Sequence, residues 1–421
     1  MNRQAFKRFL RITGPGLLYA GAAIGVSHLV QSTRAGAMFN FDLVWVLIVA
    51  NFLKYPFFEF GPRYATATGA SLVDGYHRIG KWAVVVFAIL TIMSMFIVQA
   101  AVTVVTVGLM AYIFNITIQI TTLCVIVLIG SAVFLISGKY NALDKVIKFI
   151  IVLLALSTIV AVFAAIGVQG EISRDVIQRF NWTSLTDIFF LIAFIGWMPA
   201  PIDVSVWSSI WNLEKNKELG YTPQMKNVLL EFKIGYIGTA ILALGFLALG
   251  ALVMSGTGET LSSNGVEFAG QLISIYTNSI GRWSYWIISM AALTTMLSTT
   301  ITVLDAYSRV MNPIVAYILP GVWKKFRNKD KLRWFWYCFI ITGAAFILAF
   351  AAKSMVHMVT LATTLSFLMA PVFAWLNYKV VTDEHMPLES RPGKFLRALS
   401  WIGIIFFAIF SIIYIYWRFL M

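Results

Sequence analysis

The feature that most constrains the fold is a series of long apolar segments separated by short polar connections. Eleven segments can be placed, approximately at residues 14–39, 42–66, 82–113, 119–137, 144–168, 186–211, 228–254, 283–312, 334–352, 354–378 and 398–418. Most of them exceed the ~20 residues that an α-helix needs to cross a bilayer. Since 60% of the residues are hydrophobic and 12% are charged, we expect an all-α polytopic membrane protein in contact with the lipid bilayer, not a soluble enzyme.

The distribution of basic residues predicts the orientation of these segments. Arg3, Lys7, Arg8 and Arg11 precede the first segment, and the connections after even-numbered segments hold Arg63, Arg78, Lys81, Lys139, Lys145, Lys148, Lys215, Lys217, Lys226, Lys324, Lys325, Arg327, Lys329, Lys331, Arg333, Lys379, Arg391, Lys394 and Arg397. The opposite side holds only Arg174, Arg179, Arg282, Lys353 and Arg418. This asymmetry predicts a cytoplasmic N-terminus and an outside C-terminus, in a bacterial plasma membrane. It also explains the net charge of +14 without a nucleic-acid partner.

Two segments are interrupted near their centres. The first contains Gly25-Val26-Ser27-His28, and the sixth contains Met198-Pro199-Ala200-Pro201. Proline removes a backbone donor and disfavours helix in the preceding residue. Paired interruptions in two halves of a membrane protein indicate a transporter's binding site. We therefore predict that helices 1 and 6 are broken, and that residues 14–168 and 186–378 form a 5+5 inverted repeat with 398–418 as an accessory helix.

Ionisable residues inside the predicted spans are candidates for function, because they are costly in a bilayer. Glu59 with Arg63, and Asp305 with Arg309, are spaced four residues apart and are expected to form local pairs. Asp187 fits a helix start after Ser184.

Four other polar or charged residues in the spans are not explained by local pairs, namely His28, Arg34, Lys54 and Asp203. His28 is a candidate metal ligand or proton carrier, and a packed and hydrogen-bonded structural role is the alternative. Lys54 and Asp203 lie at similar depth, so we predict that they interact in one water-accessible cavity, with Glu59 as the rival partner of Lys54. Met198 is a soft donor beside the second interruption.

The first two segments resemble the Nramp divalent-metal transporter family. The matching stretches are Gly14-Pro15, Arg34-Ala35-Gly36-Ala37-Met38-Phe39, Leu43 to Leu47, Ala50-Asn51 and Arg63 to Leu72. In the sixth segment, Met198-Pro199 resembles the family's Met-Pro-His motif. The resemblance implies a LeuT-type fold that holds a metal between helices 1 and 6. It places metal ligands at His28, Met198 and the carbonyl of Ile195, with the family's aspartate replaced by Gly25.

Departures from the family pattern leave two functions open. The family's acidic pair in helix 3 falls at Gln99 and Val102, and its motif of Asp, Pro, Gly and Asn becomes Gly25-Val26-Ser27-His28. One function is divalent-metal transport by alternating access, without the usual proton coupling; the other is transport of a small anionic or zwitterionic solute. Both use a substrate site at Gly25, Ser27, His28, Lys54, Ile195, Met198 and Asp203. We expect no cofactor and no enzyme activity, and a divalent metal enters only as a possible substrate.

Overall fold

The computed structural model describes residues 15–137, 140–167, 178–325, 329–351 and 354–419. In these residues the chain forms sixteen α-helices and no strand. They are α1 Pro15–Ala23, α2 Thr33–Phe39, α3 Val44–Thr68, α4 Leu72–Ile79, α5 Lys81–Phe114, α6 Ile120–Ile136, α7 Tyr140–Gly167, α8 Leu185–Trp197, α9 Val204–Leu219, α10 Met225–Val253, α11 Gly265–Ile280, α12 Tyr285–Ile318, α13 Pro320–Lys325, α14 Lys329–Phe350, α15 Met355–Thr382 and α16 Lys394–Phe419. Arg3, Lys7, Arg8, Arg11, Gly14, Lys139, Arg174, Arg327 and Lys353 lie outside the described residues.

Helix length and composition agree with an integral membrane protein. Seven helical stretches in the described chain are long and apolar enough to cross a bilayer, and three shorter apolar helices accompany them. Large apolar side chains point outward, including Phe163 at 71%, Trp283 at 70% and Phe350 at 78% exposure. Exposed apolar surface on this scale is expected when lipid covers the helices. The number of eleven membrane crossings remains a prediction.

The first apolar segment is broken, as predicted. Regular α-helix ends at Ala23, Ile24 and Gly25 form a bend, and Ser27–Ser32 continues as a π-helix that leads into α2. Such wide helical turns are rare and often occur at functional sites. Gly25 is needed here because a Cβ atom would lie 2.9 Å from Oγ1 of Thr299 in α12.

The sixth segment is broken as predicted. Helix α8 ends at Trp197, Met198 adopts extended backbone angles, and α9 begins only at Val204. The intervening Pro199 and Pro201 cannot donate backbone hydrogen bonds, and the Met198–Pro199 peptide bond is cis. The broken segments therefore bring non-helical backbone into the interior of the helix bundle.

Close helix packing holds the first broken segment against α10. A Cβ atom on Gly36 would lie 1.9 Å from the carbonyl oxygen of Leu247, and one on Gly250 would lie 2.2 Å from that of Thr33. Only glycine allows two helix backbones to approach so closely. This contact fixes α2 to α10 and sets the position of the π-helix that precedes it.

The local pairs expected from sequence spacing are present. Arg63 contacts Glu59 at 2.5 Å, and Arg309 contacts Asp305 at 2.6 Å. Asp187 lies in the first turn of α8, where its backbone N–H donates to the Ser184 side chain. The rival pairing of Lys54 with Glu59 is wrong, because Glu59 accepts from Arg63 and from the Tyr55 hydroxyl.

Candidate functional site

Lys54 is the central charged residue of the site, and its side chain is completely buried. Its ammonium nitrogen Nζ donates to the carbonyl oxygens of Ile195 at 2.7 Å, Gly196 at 2.8 Å and Ala200 at 3.1 Å. An ammonium group has three N–H donors, so these three bonds satisfy it fully. The C-terminal carbonyls of α8 carry the negative end of the helix dipole and suit a positive charge. Lys54 therefore supplies hydrogen-bond donors to the carbonyl groups at the break of the sixth segment.

The predicted interaction of Lys54 with Asp203 in one water-accessible cavity is found only as a longer-range attraction between two buried side chains. No ion pair joins them in the described chain, although the carboxylate attracts the ammonium over a longer distance. Asp203 is buried at the start of α9, where its Oδ2 accepts from the Tyr307 hydroxyl at 3.3 Å. Its other oxygen, Oδ1, has no hydrogen-bond partner among the described residues. Lys54 donates to backbone carbonyls and not to Asp203 because the carbonyls lie at the helix break that the lysine side chain faces.

His28 is also completely buried, and both of its ring nitrogens are engaged. Nε2 lies 2.9 Å from the carbonyl oxygen of Thr239 in α10, and Nδ1 lies 2.7 Å from Oγ of Ser27. A carbonyl only accepts, so Nε2 carries a hydrogen. The remaining nitrogen either accepts from Ser27 or donates to it. Nε2 therefore has no lone pair for a metal in this conformation, and its hydrogen bond holds the π-helix to α10. Nδ1 faces the Ser27 hydroxyl, whose single hydrogen also reaches the carbonyl oxygen of Ala23.

The carbonyl end of α1 is occupied by hydroxyl groups. Ser27 Oγ lies 2.6 Å from the carbonyl oxygen of Ala23. Thr299 Oγ1, which comes from α12, lies 3.2 Å from the carbonyl oxygen of Ile24 and 3.4 Å from that of Gly21. Each hydroxyl has one hydrogen to donate, and Thr299 Oγ1 also lies 3.0 Å from the carbonyl oxygen of Thr295 in its own helix, so the carbonyls beside Gly25 share few donors.

The three residues proposed as metal ligands are not assembled into a free ligand set. Met198 is completely buried at the end of α8, the carbonyl of Ile195 accepts from Lys54, and His28 uses both nitrogens. Within the described residues, no group of three or more His, Cys, Asp or Glu side chains could hold a metal ion. The chemistry of the donors present therefore fits a hard divalent cation poorly.

A small cavity of about 20 Å³ lies between the two breaks. A volume of this size holds about one water molecule. Most of its wall is apolar and comes from Ala22, Ala23, Val26, Val98, Val102, Ala200, Pro201, Val204 and Val303. The polar part of the wall consists of Ser27, Thr299 and the indoles of Trp197 and Trp207. In this conformation the space between the two breaks is too small for a substrate.

The acidic pair of helix 3 has been replaced by residues without a titratable group. Gln99 is buried in α5 and donates to the Thr103 hydroxyl and to the carbonyl of Thr300, both at 3.3 Å. Val102 lines the central cavity. Neither side chain can take up or release a proton near neutral pH.

Sequence reasoning missed Thr239, Thr299, Trp197 and Trp207 as parts of the site. The two threonines stand in ordinary apolar helices, where a hydroxyl usually bonds to its own helix. Trp197 donates from Nε1 to the Ser366 hydroxyl at 2.8 Å. Only the position of Trp197 beside Met198-Pro199 could have indicated from the sequence that it belongs to the site.

Comparison with known proteins places this arrangement in a family. Residues 16–417 match the model of the natural resistance-associated macrophage protein-like family, Nramp. A protein of Pasteurella multocida described as uncharacterized is 36% identical over 409 residues, which is 96% of this chain and 91% of that protein. The metal transporter Nramp6.1 of Populus trichocarpa is 21% identical over 72% of this chain and 55% of its own length.

Solved structures share the fold. The manganese transporter of Eremococcus coleocola aligns with 99% of this chain and 88% of its own, with a TM-score of 0.68 and 13% identity. Mhp1, a nucleobase–cation symporter crystallised with bromovinylhydantoin, gives a TM-score of 0.61 at 14% identity over 96% of this chain and 92% of its own. MhsT in complex with L-phenylalanine gives 0.60 at 14% identity over 94% and 98% of the two chains.

The likeness confirms the LeuT-type fold with broken helices 1 and 6. It also confirms that the protein is a membrane transporter and not an enzyme, and family membership supports transport of metal ions. The match extends over nearly the whole chain. This chain therefore belongs to the Nramp family of integral membrane transporters.

Proposed function

We propose that this protein is a secondary transporter that moves a small zwitterionic solute by alternating access between the breaks of helices 1 and 6. The observation that carries the proposal is the Lys54 ammonium on the carbonyls of Ile195, Gly196 and Ala200. A fixed positive charge already fills the carbonyl end of α8. A divalent cation would have to displace it or bind close to it, and like charges repel strongly where the dielectric constant is low.

The polar groups that remain favour a zwitterion. The π-helix and α9 begin at the two breaks, and their first N–H groups donate to backbone carbonyls there, such as those of Gly25 and Pro201, so only the helix dipole is left to act on a substrate. Half-helix N-termini attract the anionic groups of substrates. Asp203 contributes one buried oxygen without a partner, which could accept from an ammonium group. A carboxylate at the first break and an amine toward Asp203 would use both features.

Metal transport is the second candidate, and membership of the Nramp family favours it. Met198 lies at the break, and a soft transition metal accepts thioether and imidazole ligands. This function would require a conformation in which His28 releases one ring nitrogen and Lys54 leaves the carbonyl of Ile195. The absence of acidic residues at Gln99 and Val102 indicates transport without the family's usual proton route.

The topology belongs to the same proposal. Residues 14–168 and 186–378 would form the two inverted repeats, with 398–418 as the accessory helix. The basic residues would keep the N-terminus in the cytoplasm of a bacterial cell and the C-terminus outside.

Uptake into proteoliposomes tests the two functions directly. Purified protein would be supplied with radiolabelled Mn²⁺, Fe²⁺, Co²⁺ and Zn²⁺ in one series, and with labelled amino acids and small carboxylates in another. We expect uptake of a zwitterion above that of protein-free liposomes and above any uptake of the metals. Metal uptake with no solute uptake would reject the proposal in favour of the second candidate.

A further inference from the structure

The first break contains more hydrogen-bond acceptors than donors. Helix α1 ends at Ala23, so its last carbonyl groups have no partner within the helix. Among the described residues, the N–H of Ile24 donates to the carbonyl of Ala20, but no backbone N–H donates to the carbonyls of Gly21 and Ile24. These two carbonyls lie at the negative end of the helix dipole, and their spacing of three residues places them on one face.

Thr299 of α12 faces these carbonyl groups from across the break. Its Oγ1 lies 3.2 Å from the carbonyl oxygen of Ile24, 3.4 Å from that of Gly21 and 3.0 Å from that of Thr295 in its own helix. A hydroxyl has one hydrogen and two lone pairs. The shortest contact is the usual bond of a helical threonine to the carbonyl four residues earlier, so the hydrogen points to Thr295. Two carbonyl oxygens and the hydroxyl oxygen then converge with no hydrogen between them.

Oxygen atoms that converge in this way repel one another unless a cation binds among them. Na⁺ is about as large as Ca²⁺, which lies ~2.4 Å from its oxygen ligands, so neighbouring ligands of such an ion are roughly 3.4 Å apart. The separations of Thr299 Oγ1 from the carbonyl oxygens of Ile24 and Gly21, 3.2 and 3.4 Å, match this value. All three groups are neutral, which suits a monovalent ion better than a divalent one, because no carboxylate offsets the larger cost of dehydration.

The surroundings of the first break leave room for an ion. Gly25 has no Cβ atom, and one there would lie 2.9 Å from Thr299 Oγ1. Thr299 also lines the central cavity, whose volume of about 20 Å³ holds about one water molecule that could complete a coordination shell. Lys54 brings no hydrogen-bond donor to this break, since its three N–H groups all go to carbonyls at the other one, and the buried carboxylate of Asp203 attracts its charge.

We infer that the carbonyl groups of Gly21 and Ile24 and the hydroxyl of Thr299 form a binding site for Na⁺. Carbonyl oxygens at interrupted helices can replace the hydration shell of an alkali ion. An ion at this position joins the first broken segment to α12, so its binding and release are coupled to the separation of these two elements during transport. The site is independent of which substrate is carried, because its three ligands belong neither to the predicted substrate site nor to the predicted metal ligands.

Thermal unfolding of the purified full chain in detergent tests the site with Na⁺ itself. The chloride salts of Na⁺, K⁺ and choline would be compared at equal ionic strength. We expect Na⁺ to raise the unfolding temperature in a saturable manner, because a ligand that binds only the folded form stabilises it, and we expect no such rise with K⁺ or choline. A Na⁺ effect no larger than that of the other two cations would overturn the inference.

Variants at Thr299 locate the ion. Thr299→Val removes the hydroxyl and keeps the branched shape, so it should raise the apparent Kd for Na⁺ by about tenfold or more. Thr299→Cys should act in the same direction, because sulfur is a soft ligand, and it serves as the second variant if the valine variant does not fold. Thr299→Ser keeps the oxygen and should retain the Na⁺ effect.

Ser131→Ala in α6 is the matched control, since it removes an equally buried hydroxyl that donates to the carbonyl of Val127 in its own helix. Its response to Na⁺ should equal that of the unmodified protein. Loss of Na⁺ affinity in the valine or cysteine variant, with retention in the serine variant and in the control, is the expected result. The same Na⁺ affinity in all of the Thr299 variants would exclude this hydroxyl as a ligand and overturn the inference.

Discussion

The ammonium nitrogen of Lys54 lies 2.7 Å from the carbonyl oxygen of Ile195. Resemblance to the Nramp family assigns that same oxygen to the transported metal. The lysine side chain thus lies where the resemblance places the transported metal. The break of helix 6 is retained, but the positive charge beside its carbonyl groups comes from a side chain of the protein.

Removal of the Lys54 charge should destabilise the protein. Lys54→Met keeps most of the length of the side chain and removes the ammonium donor from three buried carbonyls, of which, among the described residues, only that of Ile195 also accepts from the Met198 N–H. We expect a loss of about 2–4 kcal/mol in the free energy of unfolding, measured by chemical denaturation in detergent. Lys233→Met is the control, since Lys233 is exposed on α10 and should change the free energy by less than about 0.5 kcal/mol. Equal values for the two variants would contradict the role of Lys54.

A small free cation should replace the missing side chain. In Lys54→Ala the space of the ammonium group is vacated, so methylammonium can donate to the same carbonyls. We expect methylammonium to raise the unfolding temperature of this variant but not that of Lys233→Ala, because a ligand stabilises the form that binds it. Tetramethylammonium, which has no N–H donor, serves as the matched ion. If both ions act alike, the effect is one of ionic strength and not of the site.

His28 should contribute to stability and not to metal affinity in this conformation. His28→Ala removes the hydrogen bond to Thr239 and leaves a buried void, which we expect to cost about 2–4 kcal/mol in the free energy of unfolding. His357→Ala, at an exposed position, should have little effect. The same denaturation curves with and without Zn²⁺ complete the test. A Zn²⁺-dependent stabilisation of the native protein that His28→Ala abolishes would restore His28 as a ligand.

Gly36 should be irreplaceable at the contact of α2 with α10. A Cβ atom 1.9 Å from the Leu247 carbonyl forces the two backbones apart, so Gly36→Ala should destabilise the protein by about 3 kcal/mol or more. Gly130→Ala in α6 meets no atom within 4 Å and should be neutral or stabilising by up to about 1 kcal/mol. Thermal unfolding of both variants measures the difference. A folded and equally stable Gly36→Ala would show that the two helices are not in contact there.

The sequence alone determined the elements and their local contacts. Apolar length predicted the membrane helices, and the residues Gly25 and Pro199-Ala200-Pro201 predicted where helices 1 and 6 break. The i,i+4 spacing predicted the pairs of Glu59 with Arg63 and Asp305 with Arg309. The helices, their breaks and the local ion pairs each depend on residues that are close in sequence, so one or two helical turns of sequence are enough to predict them.

Only the tertiary structure decided the partners of Lys54 and His28. Lys54 reaches carbonyls 141 to 146 positions away, and His28 reaches the carbonyl of Thr239, 211 positions away. Equal depth in the membrane suggested Asp203 as the partner of Lys54, but depth does not give the rotation of a helix about its axis. That rotation is set by close packing, such as the contact of Gly36 with Leu247. Backbone carbonyls freed at a break also have no signature in the sequence, because every residue carries one.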